Sequence, residues 1–107
     1  PRQDGDSIEP LAGGCGGWSS TLIESGNTGY YASLEFNSVD TPYIAFYRAD
    51  TADLEVAYDD GSGWTSLSVD SYGNVGQFID TAMDSLGNIH IVYYDASNGA
   101  IKYAVGQ

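Results

Sequence analysis

The sequence predicts an all-β chain built from two tandem four-stranded units, and three observations carry that expectation. The first is an internal repeat. Residues 29–57 lie over residues 76–104 at a constant offset of 47, which sets Ile44 on Ile91, Phe46-Tyr47 on Tyr93-Tyr94, Leu54 on Ile101 and Ala57 on Ala104. Upstream, Trp18 falls on Trp64, Glu24-Ser25 on Asp70-Ser71 and Gly26-Asn27 on Gly73-Asn74, after one inserted residue. The second is composition: 14 Gly and nine Tyr in 107 residues supply turns and aromatic packing on pleated surfaces. The third is punctuation by Gly and Asn in short clusters such as Asn27-Thr28-Gly29, Ser71-Tyr72-Gly73-Asn74 and Ser97-Asn98-Gly99, which suit the positive φ of tight hairpins.

Taken in order, residues 1–17 are rich in Gly and acids and read as an arm or tail, with Cys15 set among four glycines. The first repeat, residues 18–63, carries expected strands at 18–23, 30–36, 43–47 and 54–58. The second, residues 64–107, carries them at 64–69, 77–83, 89–94 and 101–105. Ile89-His90-Ile91-Val92-Tyr93-Tyr94 is apolar on both faces, as in a sheet covered on both sides. Four strands per 47-residue unit match one blade of a β-propeller.

The run Asp84-Ser85-x-Gly87-Asn88-x-His90-Ile91-x-Tyr93-Tyr94-Asp95-x-x-Asn98-Gly99-x-Ile101-Lys102-Tyr103-Ala104 resembles the repeat of a bacterial β-propeller group, close to DSxGNPHISYYDxxNGDLKYA. Gly61-Ser62-Gly63-Trp64 and Val69-Asp70-Ser71-x-Gly73-x-Val75-Gly76 continue the likeness, which covers about residues 18–105. The first repeat departs from it, with Val39-Asp40-Thr41 in place of the Gly-Asn turn and Arg48 where the pattern has Asp. Asp59-x-Gly61-x-Gly63-Trp64 also resembles a degenerate Asp-box, the hairpin motif of sialidase-type propellers. In those folds Asp and Gly close the turn and Trp packs between strands, so a packing role is expected for both Trp64 and Trp18.

Propellers close with about four to eight blades, and two blades alone leave apolar faces and unpaired edges. The chain is therefore expected to self-assemble or to belong to a longer propeller. Residues 18–23 read as an outermost strand, while the last blade stops at its third. Exchange of that strand between subunits would close a ring, and three chains would give six blades, a homotrimer. Such a ring resembles the small trimeric propeller lectins in architecture, although their sugar-binding motif is not evident.

Fifteen acids against Arg2, Arg48 and Lys102 give a net charge of −12, which disfavours nucleic acid and anionic lipid. No apolar run reaches the roughly 20 residues of a membrane-spanning helix. A single cysteine forms no internal disulfide, and a first residue other than Met suggests a processed chain, with secretion or a cell-surface location the natural expectation.

The loops between blades and between second and third strands are expected on one face, carrying Glu24, Asn27, Arg48, Asp50, Asp70, Asn74, Asp95 and Asn98. Tyr30, Tyr31, Gln77 and Phe78 open the innermost strands nearby. Aromatic faces beside amide, acid and Arg groups suit a sugar. The candidate ligand residues are thus Tyr30, Tyr31, Arg48, Asp50, Asn74, Gln77, Asp95 and Asn98, although ordinary turn formation and blade packing rank ahead of a ligand role for such residues. For Arg48 an ion pair with Asp50 or Asp53 is the leading expectation, ahead of a symmetric anion or carboxylate site. His90 has no second His or thiolate beside it and reads as a packed or hydrogen-bonded strand residue. Asp84-Ser85-Leu86-Gly87-Asn88 has oxygens for Ca²⁺ but too few ligands for an EF-hand loop, and a hairpin explains it. No cofactor is implied and no Ser/His/Asp set is present. Sialidase chemistry would need several arginines in one pocket, so a hydrolase remnant ranks last. The leading expectation is a non-enzymatic, lectin-like binding module; the alternative is a purely structural or assembly module.

Overall fold

Gly and Asn at recurrent positions divide the chain into hairpins, and hairpins are what the computed structural model contains. It describes residues 17–107, so Cys15 and all of the expected arm except Gly17 lie outside the described residues. Seven strands follow one another: β1 (Thr28–Phe36), β2 (Pro42–Arg48), β3 (Asp53–Asp59), β4 (Trp64–Asp70), β5 (Val75–Met83), β6 (Ile89–Asp95) and β7 (Ala100–Gly106). They form two antiparallel meanders, sheet 1 in the order β1-β2-β3-β4 and sheet 2 in the order β5-β6-β7. No helix occurs among the described residues.

The eighth expected strand, residues 18–23, does not form. A strand needs an adjacent edge to satisfy its backbone groups, and among the described residues no strand pairs with this segment. Trp18, expected to pack, is 84% exposed for the same reason, whereas Trp64, paired in β4, is half-buried.

The two repeats fold alike even where their sequences differ. In the β1–β2 turn Asn37 Oδ1 accepts from the amides of Val39 and Thr41; in the β5–β6 turn Asp84 Oδ1 accepts from Leu86 and Asn88. Asp40 takes φ 64° where its counterpart Gly87 takes 84°. Asp tolerates this left-handed region through its short polar side chain, so loss of the glycine leaves the turn intact.

The core lies between the sheets. Ala45, Leu54 and Val56 of sheet 1 pack on Val75, Ile89, Ile91 and Tyr93 of sheet 2. Closest approach is at Gly76, where a Cβ would stand 2.9 Å from Leu54 Cα; φ is +106°, a conformation suited to Gly. Next to it Val75 N–H donates to the Ala52 carbonyl at 3.0 Å, tying one sheet to the other. Further along, the Ser33 and Thr81 hydroxyls are 2.6 Å apart and Thr81 donates to Glu35 at 3.1 Å.

The expected double coverage of β6 is realised on one face only. Ile89, Ile91 and Tyr93 point into the core, while Val92 and Tyr94 remain partly exposed on the other side. The described residues supply sheet 2 with one neighbouring sheet, not two.

Candidate functional site

One face of the molecule collects the loops entering β1 and β5 and the β2–β3 and β6–β7 turns. Ala49 N–H donates to the Asn27 carbonyl, and at the matching place Ala96 donates to that of Asn74, both at 2.9 Å. Asn74 N–H donates to Ser97 Oγ at 2.8 Å. These bonds hold each entry loop against the turn of its own sheet.

Beneath the loops, β1 and β5 each carry two extra residues relative to their partners, the first at Gly29 or Gly76 and the second just beyond it. Between Tyr30 and Ser33, and again between Gln77 and Asp80, three steps on the inner strand face two on β2 or β6. The bulges set Tyr31 at φ 58° and Phe78 at φ 53°. A bulky aromatic in this region is a true outlier, costing about 1–3 kcal/mol at each site. What the strain achieves is a turned-out side chain: Tyr31 is 42% and Phe78 66% exposed. The two rings lie 4.8 Å apart, with Tyr47 6.1 Å beyond Tyr31 and Tyr94 6.0 Å beyond Phe78. Four aromatic rings thus form one row across the junction of the sheets.

The row meets a carboxamide at one end. Tyr47 O–H donates to Asn74 Oδ1 at 2.7 Å, joining β2 to the loop that opens sheet 2. Tyr30, exposed beside the row, donates to Asn27 Oδ1 at 2.7 Å. Gln77 sits opposite Tyr94 in the ladder.

No family model, curated protein or solved structure matches the chain. The functional reading therefore rests on the chemistry of this face.

The remaining polar candidates are engaged elsewhere. Arg48 is enclosed by carboxylates: it pairs with Glu24, with Asp50 at 2.9 Å and with Glu55 at 3.8 Å, and it donates to the Ser25 carbonyl. Burial pushes the Glu55 carboxyl above its ordinary value, against the pull of Arg48, and the nearby Asp53 and Asp50 add to the rise. Asp95 is 3% exposed and accepts from both the backbone and side-chain amides of Asn98, closing the β6–β7 turn. So Tyr30, Tyr31, Asn74 and Gln77 gather around the aromatic row, while Arg48 with Asp50, and Asp95 with Asn98, form separate internal pairs.

Three further clusters stabilise this frame. Asp70 accepts from Tyr93 O–H and from Lys102, both at 2.7 Å. Burial opposes ionisation of Asp70, but hydrogen bonds from Lys102 and Tyr93 outweigh it and lower its pKa. Burial, then Asp70, raises that of Tyr93. Asp84 accepts from Leu86, Asn88 and the Asn88 side chain, and lies 2.8 Å from His90 Nε2; the bond to His90 leads the causes that hold its carboxyl far below the usual range. His90 Nδ1 is 2.5 Å from the Tyr103 hydroxyl, so the histidine is a hydrogen-bonded strand residue. In the β3–β4 turn Asp59 Oδ1 accepts from the amides of Gly61 and Gly63.

Phe78 stands beside the sequence candidates without being one of them, and Tyr47 and Tyr94, which complete the row, are not among them either. Within strands they read as core positions. The available signal was that each occupies the same place in its repeat, with Asn27 and Asn74 also matched.

Proposed function

We propose that the protein is a non-enzymatic binding module of the propeller type that self-associates, a homotrimeric six-bladed ring being the preferred form, and takes a neutral glycan on its loop face. The observation that carries this reading is the row Tyr47, Tyr31, Phe78, Tyr94, with its two central rings held outward on strained backbone. Exposed rings match the apolar face of a sugar, and amide groups such as Asn74 and Gln77 match its hydroxyls. The net charge of −12 favours neutral over anionic sugars. In the ring, residues 18–23 of one subunit would pair along β7 of the next, and a secreted or surface location accords with such a ligand.

The test is titration with methyl glycosides of neutral hexoses and N-acetylhexosamines, followed through the aromatic proton resonances. Binding is expected to shift the Tyr31 and Phe78 rings, and Phe78→Ala is expected to weaken it about tenfold. Unmoved rings at millimolar sugar would sink the glycan reading. The alternative, a structural assembly module with no small ligand, is favoured by one observation: Arg48, Asp50, Asp95 and Asn98 spend their polar groups on one another.

A further inference from the structure

The junction between the sheets can be transposed by one repeat, and the residues at the centre of the transposed contact, Ile101 on one side and Gly29 on the other, are uncovered on this chain. Leu54 corresponds to Ile101, which is 79% exposed, and Gly76 corresponds to Gly29, whose Cβ position meets nothing within 4 Å. Gly29 nevertheless keeps φ +92°, close to the +106° of Gly76. The Ala52 carbonyl that accepts from Val75 corresponds to that of Gly99. Those two residues share φ, 62° and 61°, so the acceptor stands ready in the same conformation. The donor equivalent to Val75 is Thr28.

We propose that a second copy of this chain docks its sheet 1 onto the open face of sheet 2, head to tail, in the register already used inside the chain, and completes a second aromatic–carboxamide site there. Gly29 of the second copy lies on Ile101, and Thr28 of the second copy donates to the Gly99 carbonyl. Asn27 of the second copy takes the Tyr94 hydroxyl as Asn74 takes that of Tyr47. Tyr31 of the second copy extends the aromatic row beyond Tyr94. The site at Tyr94 is incomplete without the partner: among the described residues Asn27 is taken by Tyr30, and no amide meets the Tyr94 hydroxyl as Asn74 meets that of Tyr47.

The occupant is argued from continuity. A surface that repeats the positions of an existing interface is complementary to the surface that repeats the other side of it. The transposed contact is apolar on both sides, with the exposed Val92 and Tyr103 facing the half-buried Ile44 of the second copy, as Ala45 and Val56 face Ile91. An exposed apolar patch of this kind marks an association site. Because the two faces differ, the contact is heterologous, and it propagates to a ring or stops only when a face is blocked.

This inference rests on the self-association in the reading above but not on any ligand, and the test keeps the two apart. Solution mass is measured by light scattering for the intact chain, for Ile101→Asp, for Phe36→Asp on the opposite open face, and for an equimolar mixture of the two variants. Both substitutions fall at exposed positions, and circular dichroism confirms the fold of each. The intact chain is expected to be oligomeric and each variant monomeric. The mixture is expected to form a one-to-one dimer through its single unspoiled junction. Tyr94→Phe is expected to weaken association up to about tenfold, the share of one neutral hydrogen bond. A monomeric intact chain would overturn both the inference and the oligomeric reading. An oligomeric chain whose two variants stay assembled, or whose mixture yields no dimer, would overturn this register alone. Loss of sugar binding would leave the mass result standing.

Discussion

The two faces of sheet 2 carry similar apolar content, yet they live in opposite environments. Toward sheet 1, Ile89, Ile91 and Tyr93 are buried; away from it, Val92, Tyr94, Ile101 and Tyr103 meet solvent. Along a strand successive side chains alternate between faces, so one β6 segment serves both. The difference teaches that burial here is decided by whether a neighbouring sheet is present, not by residue type. It also supplies an internal control: each residue at the closed junction has a counterpart at the open one, with the same local backbone and different surroundings.

The largest contrast is expected between Leu54→Ala and Ile101→Ala. Leu54 is wholly buried, and its truncation is expected to cost about 2–5 kcal/mol in denaturant unfolding. Ile101→Ala in dilute protein is expected to fall within about 0.5 kcal/mol of the parent. Equal losses would break the comparison. Gly76→Ala follows: both positive φ and a Cβ only 2.9 Å from Leu54 Cα oppose it, and a cost above about 1 kcal/mol is expected. Gly29→Ala carries the backbone term alone and is expected to cost less, again by denaturant midpoint.

A smaller pair is Tyr47→Phe against Tyr94→Phe. Losing the hydroxyl that bonds to Asn74 is expected to cost about 1 kcal/mol, while the change at Tyr94 in the dilute chain is expected to be near zero. The least effect is expected from pH. Asp84 has a folded pKa below its unfolded value, so its contribution is complete above about pH 4 and fades as pH falls below that. Asp84→Asn is expected to flatten the acid limb of stability measured by circular dichroism, and an unchanged limb would show that the His90 bond is idle. Tyr93, raised by burial and by Asp70, acts at the other end: its contribution is complete below about pH 10 and lost above it.

Much of the fold was legible because its instructions are local. Turn residues and β-branched or aromatic runs placed seven strands to within two residues, and the offset of 47 paired their geometry. The segment 18–23 carries the same pattern and forms no strand, since a pattern cannot supply the edge that it needs. The candidate site was legible in part. Tyr31 and Phe78 stood at the right place, but the bulge that turns them outward arises from ladder register, which composition does not state. The pairing of Arg48 with Asp50 was legible in the sequence, but Glu24, 24 positions before Arg48, and Glu55, which complete the enclosure, were not.

By itself, the sequence determined the strands, the turns and the duplication. Each of these follows from backbone preference and side-chain alternation over a few residues. Only the tertiary structure decided which face of sheet 2 is covered, which polar groups neutralise one another, and that four rings from four strands share one row. Those depend on contacts between residues tens of positions apart, whose energies no short segment contains.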